Sequence, residues 1–278
     1  MIESTATLNG ARNVKLHTVD WLPEGEPVAD LVLAHGYAEH CARYRHVAEH
    51  FCAAGVAVHA LDHRGHGKSS GIPFGSVDDF GLLVDDLLSR IDQVRTDRPL
   101  FLYGHSMGGL AVVRALESGK AGKIAGAIIA SALLAPAEGV PAPLIKVVNL
   151  LAKVAPNLKT IVLDDSTISH DPAVLADYNA DPLNFRGKIT AGTGAQMNIA
   201  RVAAVAEAGR ITEPVLFVHG TADNLTAPAG TVTVFGTVGS MDKRIELFPG
   251  AFHELHNEPE KADVLALYSD WVLEHCGS

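Results

Sequence analysis

Residues 99–109 read PLFLYGHSMGG. An apolar run of one strand's length breaks off at Gly104, and a serine then stands among Gly104, Gly108 and Gly109. Runs of this kind suit central strands of a parallel sheet, buried on both faces. A loop that only turns does not need the serine. A loop that forces a side chain into a sharp, exposed position does. Gly104-His105-Ser106-Met107-Gly108 fits G-x-S-x-G, and the helical pattern LAVVRALES follows. In a strand–turn–helix context this pattern lifts a serine hydroxyl at the C-terminal edge of a sheet. The flanking glycines remove Cβ clashes with the closely packed helix. The competing interpretation is a glycine-rich turn in which Ser106 caps the helix.

Similar apolar runs lie on either side: ADLVLAHG (29–36), GVAVHALD (55–62), KIAGAIIAS (123–131), PVLFVHG (214–220) and the weaker RIELFPG (244–250). RNVKLHTVDW (12–21) alternates, as an antiparallel edge strand does. Helical patterns separate the runs, at 43–55, 77–95 and 262–276. The second has Phe80, Leu83, Val84, Leu87, Leu88 and Ile91 on one stripe. This alternation predicts an α/β three-layer sandwich around a mostly parallel sheet. Residues 135–210 break the rhythm, with helical patterns and no convincing central strand. They are expected to form a helical cap inserted into a core of 1–134 and 211–278. Within it Leu144, Val147, Val148, Leu151 and Val154 form one apolar helical face. That face either packs on the core or lines an acyl tunnel and touches a lipid surface. Lys146, Lys153 and Lys159 lie nearby, either as a solvated face or as part of such an interface.

The bulk numbers bound the function. The chain has 278 residues, near the upper limit for one core, and a formal net charge of −10. An acidic chain gains nothing electrostatically from nucleic acid or an anionic membrane. Its 3 cysteines, Cys41, Cys52 and Cys276, match neither a disulfide framework nor a zinc site. No basic-then-apolar leader opens the sequence, and its longest apolar stretch (124–136) is too short to span a bilayer. The expectation is a soluble, cytoplasmic protein.

A serine needs a base to take its proton and an acid to orient that base. With a G-x-S-x-G turn the chain order is Ser, then Asp or Glu, then His, on loops after later strands. PVLFVHG runs into TADNLT, which offers Asp223; RIELFPG runs into AFHELHNEP, which offers His253. His256 competes with His253 but lies further from the strand end. Asp164 and Asp165 compete with Asp223 but fall in the inserted segment, poorly fixed relative to the sheet. Two N–H donors must face the developing oxyanion. One is expected from Met107, after the serine, and one from Tyr37, in the loop after ADLVLAHG. The loop DHRGHGKSS (62–70) is expected to brace structure rather than react.

HGYAEHCARY, LDHRGHGKSSG, GHSMGG, HGTADNLT and AFHELHNEP occur in this order across most of the chain, with LDDSTISHDPAVLADYNADPL in the inserted segment. Together they resemble the bacterial monoacylglycerol lipase group of α/β-hydrolases. The pairing of HG-x-x-EH-x-x-RY with HEL-x-NEP is the narrowest part of that resemblance. It implies a serine hydrolase with a helical cap, cleaving a single-chain glycerol ester with Ser106, Asp223 and His253 as triad and Tyr37 and Met107 as oxyanion donors. It also implies a lipid ester as partner and neither metal nor organic cofactor; a transient contact of the cap with membranes is expected from its apolar face. Other acyl esters, as for a carboxylesterase or lysophospholipase, are the alternative. A non-catalytic receptor on the same fold is the reading from a different class. The sequence departs from the group at Ala38, where Gly is common, and at Tyr37, where a smaller or aliphatic residue is usual. The larger Tyr37 side chain is expected to narrow the acyl channel.

Overall fold

The apolar runs become one eight-stranded sheet. The computed structural model describes residues 1–137 and 142–277, with the side chains of 142–146 outside that description. Along the chain lie β1 (Ile2–Asn9), β2 (Lys15–Leu22), β3 (Ala29–Ala34), α1 (Arg45–Ala53), β4 (Val56–Leu61), α2 (Phe80–Val94), β5 (Leu100–His105), α3 (Met107–Glu117) and β6 (Gly126–Ala130). Then come α4 (Ala142–Val154), β7 (Lys159–Ile161), α5 (Pro172–Ala180), β8 (Ile189–Thr190) and α6 (Ala191–Glu207). The chain finishes with β9 (Val215–Gly220), α7 (Pro228–Thr237), β10 (Lys243–Phe248) and α8 (Lys261–His275).

The sheet order is β1-β2-β4-β3-β5-β6-β9-β10. β1 and β2 pair antiparallel, as do β2 and β4; every later pairing is parallel. Every residue of β3, β4, β5, β6 and β9 is buried, which is why these strands read as continuous apolar runs. Side chains alternate between two cores. Val32 and Ala34 face the core built with α2, α3 and α6, while Leu31 and Leu33 face the one built with α1 and α8. All six residues of the α2 stripe are buried in the first core.

Parallel strands deliver their C-terminal ends to one edge, so the loops after β3, β5, β9 and β10 meet there. Between β6 and β9 the chain leaves the sheet for α4, β7, α5, β8 and α6. The sequence patterns here are helical, yet β7 and β8 also pair antiparallel as a separate two-stranded sheet. Of the apolar face expected over 144–154, Val147 and Val154 are exposed, and Leu150 beside them is 63% exposed. Leu144 and Lys146 lie outside the residues whose side chains are described.

Candidate active site

Ser106 joins β5 to α3 with φ 54° and ψ −116°, a conformation sparsely populated by non-glycine residues. Backbone bonds hold it there. Its N–H donates to Ala130 O at 3.0 Å, and its carbonyl accepts from Leu110 N–H at 3.0 Å and Leu133 N–H at 3.1 Å. Its side chain caps no helix N–H, so the capping alternative fails. The glycines leave room for the turn. A Cβ on Gly104 would meet Gly108 O at 2.5 Å, and one on Gly109 would meet Ala132 Cβ at 2.7 Å.

The two later loops arrive as expected. His253 Nδ1 lies 2.6 Å from Asp223 Oδ2. Asp223 Oδ1 accepts from the N–H groups of Leu225 at 2.8 Å and Thr226 at 3.0 Å, so the carboxylate cannot swing. Burial alone would raise the Asp223 pKa. The charge of the His253 ring, with hydrogen bonds from His219 and His253, reverses that and holds the carboxyl well below its usual range. Burial alone would lower the His253 pKa, but the Asp223 carboxylate outweighs it and the net shift is upward. With Asp223 accepting at Nδ1–H, the Nε2 of neutral His253 is left as a base.

The competitors are held by other partners, although Asp165 lines the same cavity. His256 is fully buried, stacked on Tyr44 at 4.6 Å, with Nδ1 3.4 Å from Tyr103 Oη. Asp164 accepts from Ser166 N–H at 3.1 Å and so caps a short turn. Asp165 faces Arg186 at 3.8 Å. Asp62 accepts from the N–H groups of Cys41 and Lys68, both at 2.8 Å, so its loop braces the neighbouring chain.

The loop after β3 is clamped on both sides. His35 Nε2 accepts from His63 N–H at 2.9 Å, so its Nδ1 carries the hydrogen and donates to Gly36 O at 2.7 Å. Gly36 N–H donates to Glu39 Oε1 at 2.6 Å. A trans peptide points its C=O and N–H in opposite directions, so holding Gly36 O turns Tyr37 N–H away from His35. Ala38 follows at φ 68°, a left-handed conformation that explains the appeal of glycine there. Met107 opens α3, so its N–H has no helical acceptor.

Gly36, Tyr37, Ser106, Met107 and His253 line one cavity of about 120 Å³. All five sequence-predicted groups therefore meet, since Asp223 reaches the cavity through His253. Such a constellation can pass a hydroxyl proton to an imidazole and place two N–H donors beside a developing oxyanion. A second, apolar cavity of about 330 Å³ adjoins it under α4, β7 and α6. The two share Leu133, Leu163, Ile189, Met197 and Leu225 as walls. Tyr37 lines the smaller cavity beside Ser106 and is absent from the described walls of the apolar one. Its hydroxyl donates to Gly75 O at 2.7 Å, and its ring meets His66 and Phe185 edge-on.

Residues 25–260 match the family model described as serine aminopeptidase, S33. The chain belongs to this S33 hydrolase family. Its relatives include the monoacylglycerol lipase of Mycolicibacterium smegmatis, 36% identical over 99% of this chain and 100% of the relative. Human monoglyceride lipase is 34% identical over 86% of this chain and 79% of its own length. Among solved structures, the monoacylglycerol lipase of Paleococcus ferrophilus is 32% identical, with a TM-score of 0.84, covering 94% of this chain and 99% of that one.

Within this S33 hydrolase, the serine pattern did not single out the groups behind the candidate triad. Arg43 donates from Nη1 to Glu39 Oε2 at 2.6 Å and binds both Glu254 oxygens, at 2.7 and 2.8 Å. Glu39 and Glu254 line the catalytic cavity, forming its polar wall. Burial raises the Glu39 carboxyl, whereas Glu254 is held down at about 2; burial opposes that shift and the Arg43 pairing overrides it. Their signal in the sequence was the pairing of HG-x-x-EH-x-x-RY with HEL-x-NEP, which contains Glu39, Arg43 and Glu254, though no spacing tied Glu254 to the other two.

Proposed function

We propose that this chain hydrolyses the ester of monoacylglycerols, releasing a fatty acid and glycerol through an acyl-enzyme. The reading is carried by one observation: Ser106, His253, Tyr37 and Met107 line a cavity that shares five wall residues with an adjoining apolar chamber. His253 takes the Ser106 proton as Oγ attacks the acyl carbon. Negative charge builds on the carbonyl oxygen, which Tyr37 and Met107 N–H receive. The tetrahedral intermediate collapses, and His253 returns the proton to the departing glycerol oxygen. Water then repeats the sequence on the acyl-enzyme, freeing fatty acid and Ser106. The apolar chamber suits one acyl chain, while Glu39 and Glu254 suit the glycerol hydroxyls. The monoacylglycerol lipases among the relatives support this substrate class.

The test is glycerol and fatty-acid release from mono-, di- and triacylglycerols and a lysophospholipid, with Ser106→Ala as the blank. Turnover concentrated on monoacylglycerol supports the reading. Turnover of short esters alone moves the chain to the general carboxylesterases. His253 must be neutral to act as base, and its pKa is raised above the ordinary value. Therefore kcat/KM rises with pH along a limb whose midpoint lies above about 6.5. A midpoint below that value contradicts the assigned base.

Residues 135–210 act in this reading as a cap over the apolar chamber. No helix among the described residues is long and apolar enough to cross a membrane. Contact with lipid is instead peripheral, through exposed Val147, Leu150 and Val154 on α4 and exposed Ile161 and Val162 beyond β7's start. The double variant Leu150→Ser/Val154→Ser is expected to lower partition into zwitterionic vesicles about tenfold or more. Soluble-substrate turnover stays unchanged. Equal vesicle binding would remove the membrane contact.

A further inference from the structure

The carboxylate that orients His253 also faces a second imidazole. His219, in the last turn of chain before the end of β9, has its side chain fully buried behind Asp223. Its Nε2 lies 3.0 Å from Asp223 Oδ2 and 3.1 Å from the Thr226 carbonyl oxygen. Both of these partners only accept, so Nε2 carries a hydrogen. Its Nδ1 lies 2.7 Å from Thr231 Oγ1, buried on α7, whose hydroxyl donates there when the ring is neutral. Thr226 Oγ1 is a weaker anchor for Asp223. It has one hydrogen for two acceptors, Asp223 Oδ2 at 2.9 Å and Ser131 O at 3.0 Å. His219 donates to Oδ2 whichever way that hydroxyl turns.

We propose that His219 is a positioning residue of the hydrolytic centre, whose Nε2–H holds Asp223 against His253 and divides the carboxylate's charge between two rings. This rests on the assignment of Ser106, His253 and Asp223 as the triad. With the His219 donor present, part of the charge on Oδ2 is spent on β9's own ring. Without it, Oδ2 binds His253 Nδ1–H more strongly and favours the imidazolium, which is the inactive form of the base. The carboxylate also loses one of the bonds that aim it. The other groups facing His253 stay as they are: Glu254 and Glu39, both bound by Arg43; Asp165 across the cavity; and the His105 ring at 4.6 Å, with His256 at 5.0 Å behind it. A shift in the acid limb on changing His219 is therefore a shift transmitted through Asp223.

The experiment compares His219→Phe with His219→Gln. The Phe ring fills the space and donates nothing, whereas the Gln amide nitrogen reaches the place of Nε2. Active sites are first counted by titration with a phosphonate, so that loss of folded protein is removed. His219→Phe is expected to lower kcat about tenfold with little change in KM. It should also move the acid limb of kcat/KM up by about half a pH unit. His219→Gln should restore most of both. An acid limb unmoved in His219→Phe, per active site, overturns the proposal and leaves only a packing role. Should His219→Phe fail to fold, histidine-selective 15N NMR of the wild-type protein decides. A hydrogen on His219 Nε2 supports the proposal, and one on Nδ1 alone overturns it. Failure of the hydrolase reading is a different result, namely full activity in Ser106→Ala.

Discussion

Asp223→Asn is expected to leave the protein folded and to lower kcat/KM about 10⁴-fold. The amide has two orientations, and the surroundings choose one. Oδ1 of Asp223 accepts two backbone N–H groups, from Leu225 and Thr226. An NH2 placed there would face two donors, at a cost of about 1–3 kcal/mol for the buried groups left unpaired. The donors at Oδ2 can yield where the backbone N–H groups cannot, since the Thr226 hydroxyl can turn to Ser131 O and His219 Nε2–H keeps the Thr226 carbonyl, so the amide oxygen stays at Oδ1 and NH2 takes the place of Oδ2. His253 Nδ1, 2.6 Å from that position, must then accept instead of donate. Its hydrogen moves to Nε2, which can no longer take the Ser106 proton. The measurement is kcat/KM on a monoacylglycerol, with folding checked by thermal melting. A loss smaller than about tenfold would mean that another carboxylate orients the base.

Gly108→Ala is expected to cost about 3 kcal/mol or more of stability, a fall of roughly 10 °C in Tm for a chain of this size. A Cβ there would press on the Ala34 carbonyl and meet His35 O at 2.5 Å. Both are backbone atoms; Ala34 ends β3 and is held in the ladders with β4 and β5, and His35 follows it directly. They cannot retreat as a flexible side chain would. Any relief must come from α3 lifting off β3, which drags Ser106 and Met107 with it. Activity should therefore fall even in the fraction that folds. Gly119→Ala is the control. Gly119 has φ +66° but open space around its Cβ position, so only the left-handed backbone cost of about 1–2 kcal/mol applies. Equal melting of the two variants would show that close packing of α3 on β3 is not what the glycine serves.

The centre of the sheet was legible because β3, β4, β5, β6 and β9 are buried on both faces, which leaves an unbroken apolar run for each. Less legible were elements whose residues look alike in any conformation. α7 reads PAGTVTVFGT, rich in β-branched residues that favour strands. It is a helix because the chain must cross back from β9 to a parallel β10, and Pro228 in its first turn and buried Val234 fit that path. β1 has mostly exposed side chains, so no burial pattern marked it. β7 and β8 are too short to carry any period and exist only as each other's partner.

The sequence by itself singled out Ser106, Asp223 and His253 as candidates that the fold brings together, because each sits in a loop directly after a recognisable strand and the order of those loops follows the chain. It determined the oxyanion candidates for the same reason. Tertiary structure alone decided what surrounds them. His219 and Thr226 stand beside Asp223 in the sequence, yet only the fold turns their polar atoms onto its carboxylate. Arg43 and Glu254 are 211 positions apart and meet only because β3 and β10 deliver their loops to one edge of the sheet. The Tyr37 side chain lines the cavity at Ser106 in a position set by Gly75, His66 and Phe185, which are distant in the sequence. Local pattern specifies where a strand ends and which side chain the turn lifts. The partners of that side chain come from distant loops, and packing, which no local pattern encodes, sets their approach.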